Sequence, residues 1–112
     1  MNAKAADFSA LLVLTNLPDR ASAEKLAETL VERQLAACVN ILAPCRSVYR
    51  WRGALESAEE HPVLVKTTPE RYAAVERAIV ESHPYELPEV IAVPIVRGLP
   101  AYLDWVAAET KT

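Results

Sequence analysis

The residues with the most chemical potential stand together in His83-Pro84-Tyr85-Glu86-Leu87-Pro88-Glu89, where an imidazole, a phenol and two carboxylates lie among two prolines. Proline fixes its own φ and drives the preceding residue into extended backbone, so these groups are presented on a stiff strap. The His-x-x-Glu-x-x-Glu spacing offers one nitrogen and two carboxylates, a donor set suited to a transition metal or a polar small molecule. The plainer alternative is a helix-to-strand connection whose His83 and Glu86 face water.

Composition narrows the class of protein that carries this strap. With 112 residues, 52% of them hydrophobic, and two glycines, the chain suits one compact domain at 10–112 behind a flexible N-terminus at 1–9. A net charge of -3 with interspersed signs gives no basic footprint for nucleic acid. Met1 to Ala10 lacks the apolar core of a signal peptide, and no run approaches the roughly 20 apolar residues of a membrane span, so a cytoplasmic protein is expected. Cys38 and Cys45 match neither a redox pair nor a zinc knuckle. Cys38 lies in apolar surroundings and reads as a small buried hydrophobe, whereas Arg46 beside Cys45 could favour its thiolate if the side chain is accessible.

Periodicity supplies the elements that must position the strap. Leu11–Thr15 reads as a buried strand, and Ser22–Leu35 as a helix with Leu26, Leu30 and Val31 inward and Asp19 or Ser22 as its cap. The stretch from Cys38 to Trp51 is β-like, with Pro44 marking a bulge, bend or edge. Beyond Pro44, alternation sets Ser47, Tyr49 and Trp51 on one face and Arg46, Val48, Arg50 and Arg52 on the other. Arg52-Gly53 turns the chain into a returning strand whose Glu56, Glu59 and Glu60 are expected to form cross-strand ion pairs with the arginines. Thr68-Pro69-Glu70 starts a second helix running to about Ser82, Val90–Val96 reads as a buried strand with Pro94 arguing for an edge or bulged place, and Ala101 to about Glu109 as a terminal helix. The order β-α-β-β-α-β plus a short helix is the split βαβ, ferredoxin-like α+β arrangement. Long middle strands with unpaired edges invite a partner strand, so a homo-oligomer built by sheet extension is expected.

Several segments together resemble the CutA family of divalent-cation tolerance proteins: Leu35–Asn40, Ser47–Gly53, Lys66-Thr67, His83–Glu89 and Tyr102–Trp105. The resemblance spans Leu11 to Val106 and implies a trimer of ferredoxin-like subunits, similar to PII signalling proteins, linked to tolerance of copper and other divalent cations. It implies Cu(2+) or another divalent cation as ligand, with His83, Glu86 and Glu89 as metal donors. It also implies a cleft between subunits lined by Tyr49, Trp51, Lys66, Tyr85 and Glu86. The chain departs from copper-binding bacterial relatives, which can present a cysteine at the end of the first strand and two adjacent histidines before Pro-Tyr. Thr15 and Ser82-His83 stand there instead. His61-Pro62 is a second departure, one that could end strand pairing early and leave a solvated histidine.

Three readings of function follow. The first is a trimeric metal-responsive protein, with a PII-like trimer that binds a metabolite or protein partner in the cleft as its close variant. An enzyme would use His83 as acid-base with Glu86 or Glu89, but no paired nucleophile, phosphate loop or complete metal triad accompanies them, so no catalytic residue is assigned. A scaffold would need only the strand surfaces and the helix bearing Trp105.

Overall fold

The computed structural model describes residues 8–111. The expected flexible N-terminus falls mostly on 1–7, which lie outside the described residues, as does Thr112. Strand β1 (Leu11–Leu17) leads to helix α1 (Arg20–Glu32), then β2 (Cys38–Ile41), β3 (Cys45–Trp51), β4 (Ala54–Thr67), a 3-10 turn at Pro69–Arg71, α2 (Tyr72–Ser82), β5 (Ile91–Pro94) and α3 (Pro100–Glu109). The strand order β2-β4-β1-β5 is antiparallel throughout, with β3 adding to β4 beyond β2. This is the ferredoxin-like α+β order expected from the sequence, with its second strand divided into β2 and β3.

The core follows from alternation in β1 and β4. Leu11, Val13, Thr15 and Leu17 are buried, as are Val63, Val65 and Thr67, while the residues between them are half-buried on the opposite face. Leu26 and Leu30 of α1 and Val75 and Ile79 of α2 cover the buried face. Each such side chain contributes about 1.5–3 kcal/mol on full burial. The Asp19 carboxylate caps α1 by accepting from the Ser22 hydroxyl at 2.6 Å and from the Ser22 N–H at 2.8 Å, and these bonds, the hydroxyl's first, hold its pKa below the ordinary carboxylate value. At the other end Gln34 adopts φ 57°, and the N–H groups of Gln34 and Leu35 donate to the carbonyls of Val31 and Leu30 at 3.0 and 2.9 Å. That is a Schellman stop with glutamine where glycine is usual. The second helix differs from expectation at its start: the Thr68 hydroxyl makes no cap bond, and a 3-10 turn precedes the α-helix.

The divided strand carries the main local irregularity. Ile41 pairs with Val63 and Cys45 with Glu60, so three residues, Leu42 to Pro44, face two, His61 and Pro62. The extra residue is a bulge, as Pro44 suggested. Pairing does not end at His61-Pro62, because β4 runs unbroken and those residues lie opposite Leu17 and Asn16 of β1. His61 is half-buried rather than solvated, with Nδ1 shut away from water and without a hydrogen-bond partner among the described residues. Past the bulge, β3 and the Ala54–Glu60 half of β4 project as a two-stranded arm, closed by a turn in which Arg52 and Gly53 have φ of 50° and 83°. Two positive φ values in a two-residue loop are the type I′ signature, and they set the register at Trp51 opposite Ala54.

Two expectations are corrected. Strand β5 is short and exposed rather than a buried run over Val90–Val96, because it pairs only with β1 at the sheet edge. Among the described residues the arm holds no Arg–Glu ion pair across its strands. Arg46 donates to the Ser57 hydroxyl and Arg50 to the Gly53 carbonyl, each at 3.3 Å, while Arg52 reaches Glu86 at 2.7 Å. The arginines are drawn to nearer acceptors than the facing glutamates.

Candidate functional site

The strap leaves α2 at His83, whose extended backbone ends the helix. His83 is 8% exposed, and both ring nitrogens are engaged. Nε2 lies 2.5 Å from the Asn16 carbonyl, which can only accept, so that nitrogen carries the proton. Nδ1 therefore accepts, from the Tyr85 N–H at 3.2 Å. The Tyr85 ring lies tilted against the imidazole with centroids 4.7 Å apart. Asn16 also anchors the far end of the strap, its Nδ2 donating to Glu89 Oε1 at 2.8 Å. One strand residue thus holds both ends of the segment, and the two prolines keep it from collapsing between them.

The strap and the arm enclose a cleft of ≈ 690 Å³ that includes Asn16, Tyr49, Trp51, Tyr85 and Glu86 in its lining. Tyr49, Trp51, Tyr85 and Glu86 are therefore brought together as the sequence suggested. Lys66 is not: it lies near the other end of β4, with Nζ 5.8 Å from the Tyr102 ring centroid of α3. Its closeness to the cleft residues was an inference from family segments, and strand direction carries it away. Glu56 and Glu60 join the lining instead, on the β4 face opposite Tyr49 and Cys45. Glu60 is only 8% exposed and had been read as an ion-pair partner. The Arg52-Gly53 turn was the signal that could have placed Glu56 beside Tyr49, since it sets the register of the arm. Nothing local foretold the burial of Glu60, which needs the bulge and the strap.

Charge in the cleft is mainly acidic. The Tyr85 phenol is pushed up to about 12, first by burial and next by the neighbouring Glu60 charge. At the rim, Arg52 lies 5.3 Å over the Trp51 ring centroid while pairing with Glu86, joining the arm tip to the strap.

The three metal donors inferred for the strap do not form a metal site within the chain. His83 would have to give up the Asn16 carbonyl or the Tyr85 N–H, Glu86 holds Arg52, and Glu89 holds Asn16. Among the described residues no group of three His, Cys, Asp or Glu side chains is placed to hold a metal ion. Thr15 points into the core with its hydroxyl buried and unpartnered among the described residues. Cys38 is half-buried and Cys45 is exposed.

An antiparallel sheet with two helices over one face, a projecting arm and a strap folded over its root places the chain among ferredoxin-like α+β domains. Comparison with known proteins then gives the family. Residues 11–109 match the family of CutA1 divalent ion tolerance proteins, and the chain belongs to it. The divalent-cation tolerance protein CutA of Thermus thermophilus is 40% identical over 99 residues, 88% of this chain and 96% of its own. The crystal structure of CutA from Xylella fastidiosa superposes with a TM-score of 0.89 at 40% identity, covering 92% of this chain and 99% of that one. The corresponding values for CutA1 from Shewanella sp. SIB1 are 0.90 and 38%, covering 93% and 97%.

Proposed function

We propose that this chain contributes to divalent-cation tolerance in the cytoplasm as a PII-like homotrimer that binds ligands in clefts at its subunit contacts and turns over no substrate. The role in tolerance is supported by family membership and by the names of relatives covering most of the chain. The observation that carries the trimer is the uncovered apolar surface of one chain. Val48 and Leu55 on the arm, Ile91 and Val93 on β5, and Leu99 and Trp105 near α3 are all exposed. So much apolar area on a small domain favours association, and the free edges of β3 and β5 offer the backbone groups for it.

Copper or another divalent cation is the first ligand to test, and donors from a second subunit would be needed because one chain's set is already engaged. The engagement of His83 favours the second reading, in which tolerance follows from a response to a small molecule rather than from tight metal storage. Light scattering on the purified protein is expected to give three chains per particle. Calorimetric titration of the same sample with Cu(II) separates the readings: saturable heat supports a shared metal site, and its absence leaves the small-molecule reading. A monodisperse monomer would sink the proposal.

A further inference from the structure

Glu60 is the sole buried acid among the described residues. It lines the cleft and has no ion-pair partner among those residues, since both ion pairs, Arg20–Glu24 and Arg52–Glu86, use other carboxylates; the polar group that reaches it is the Tyr85 phenol. A carboxylate taken from water without a counter-charge is costly, and the cost falls when a cation arrives. Its surroundings suit one kind of cation. Tyr49, Trp51 and Tyr85 bring aromatic rings to the lining, and Glu56 adds a second carboxylate. Tyr85 lies within electrostatic reach of both Glu60 and Tyr49. At the rim the chain grips a cation of its own in this manner, with Arg52 over the Trp51 ring and against Glu86. Deeper in, the ring-and-carboxylate pairing recurs; Arg50, which also lines the cleft, donates to the Gly53 carbonyl at 3.3 Å and forms an ion pair with neither Glu56 nor Glu60 among the described residues.

We propose that the cleft binds a small organic ammonium ion, its charge seated at Glu60 beside the rings of Tyr49 and Tyr85. Carboxylates accept the ammonium N–H groups, and aromatic faces attract the cation and its alkyl part. A hard divalent ion would gain nothing from the rings, and three donors are not assembled for it. The proposal rests on the cleft-ligand reading above but not on the trimer, because every residue named belongs to one chain.

The test is an NMR titration of the isotope-labelled, assembled protein with n-butylammonium, using 1-butanol and sodium chloride as controls. Saturable shifts are expected at the Trp51 indole and the Tyr85 amide with n-butylammonium alone, the Trp105 indole staying put. Glu60→Gln is expected to weaken binding about tenfold or more, from loss of a charged hydrogen bond. Glu59→Gln, one residue away on the opposite strand face, is expected to change nothing. Should Glu60→Gln not fold, Tyr49→Ala carries the same expectation of weakened binding. No saturable shift in the wild-type protein, or equal shifts with 1-butanol, would overturn the assignment. So would wild-type inertness combined with an altered particle mass in Glu60→Gln, which would make the cation a neighbouring subunit's side chain. Particle mass from light scattering tests the trimer separately, so either idea can fail alone.

Discussion

The two halves of β4 obey the same alternation and meet opposite fates. In Val63–Thr67 every second residue is buried beneath two helices, with β1 and β2 on either side. Among the described residues Ala54–Glu60 pairs with β3 alone, and Leu55 is 73% exposed. Period-2 patterning says which residues share a face, but whether that face is covered depends on what the rest of the chain, or a second chain, brings to it. The inner half serves the stability of one chain. The outer half is furnished for contact.

Substitutions can break or sharpen that contrast. Leu30→Ala, in the core over the inner half, is expected to cost about 2–5 kcal/mol by chemical denaturation at fixed protein concentration; a cost under about 1 kcal/mol would mean the core does not rest on it. His83→Ala removes the partners of the Asn16 carbonyl and the Tyr85 N–H and should cost about 1–3 kcal/mol. A neutral result there would show that the prolines, the Asn16–Glu89 bond and the Arg52–Glu86 pair hold the strap without the imidazole. Gln34→Gly relieves a left-handed residue and should stabilise by about 1 kcal/mol, read as a raised Tm. The Tyr85 phenol adds a pH signature. With its pKa raised from 10.0 to about 12 in the folded chain, its contribution is fully present below pH 10 and is lost as pH climbs toward 12. Tyr85→Phe should remove that part of the alkaline profile in denaturation at successive pH values. Leu55→Ala is expected to change the stability of a lone chain by no more than about 0.5 kcal/mol. A larger loss that grows on dilution would show the outer half to be covered by another subunit.

Local signals made much of this legible in advance. The Leu11 run, the capped helix after Asp19, the Pro44 interruption and the Arg52-Gly53 turn each carry their own chemistry, and together they dictate the element order. Alternation alone puts Tyr49 and Trp51 on one face of β3, whereas their meeting with Tyr85 and Glu86 in a cleft was implied by the family resemblance. Lys66 stands outside the single-chain cleft because strand direction carries it toward Tyr102 of α3, so a cleft between subunits would draw it from a neighbouring chain. The strap's donors are committed to Asn16 and Arg52, residues remote in sequence, and no spacing rule reports such partners. The Val and Ile run of β5 reads as buried whether it sits mid-sheet or at an edge, while Pro94 argues for the edge position that the strand takes.

The bulge at Leu42–Pro44 works as a frameshift in side-chain parity. Before it, the even residues Cys38 and Asn40 of β2 share a face with Lys66 and Leu64; after it, the odd residues Cys45, Ser47, Tyr49 and Trp51 share that same face with Glu60, Ala58, Glu56 and Ala54. Paired residue for residue with no bulge, the register that sets Ile41 opposite Val63 would run on to Val48 opposite Glu56, turning Arg46, Val48 and Arg50 onto the face of Glu56 and Glu60. By looping one residue out of the ladder, the bulge sets Tyr49 opposite Glu56 and Cys45 opposite Glu60, and so brings the aromatic face of the arm to the side that the strap covers.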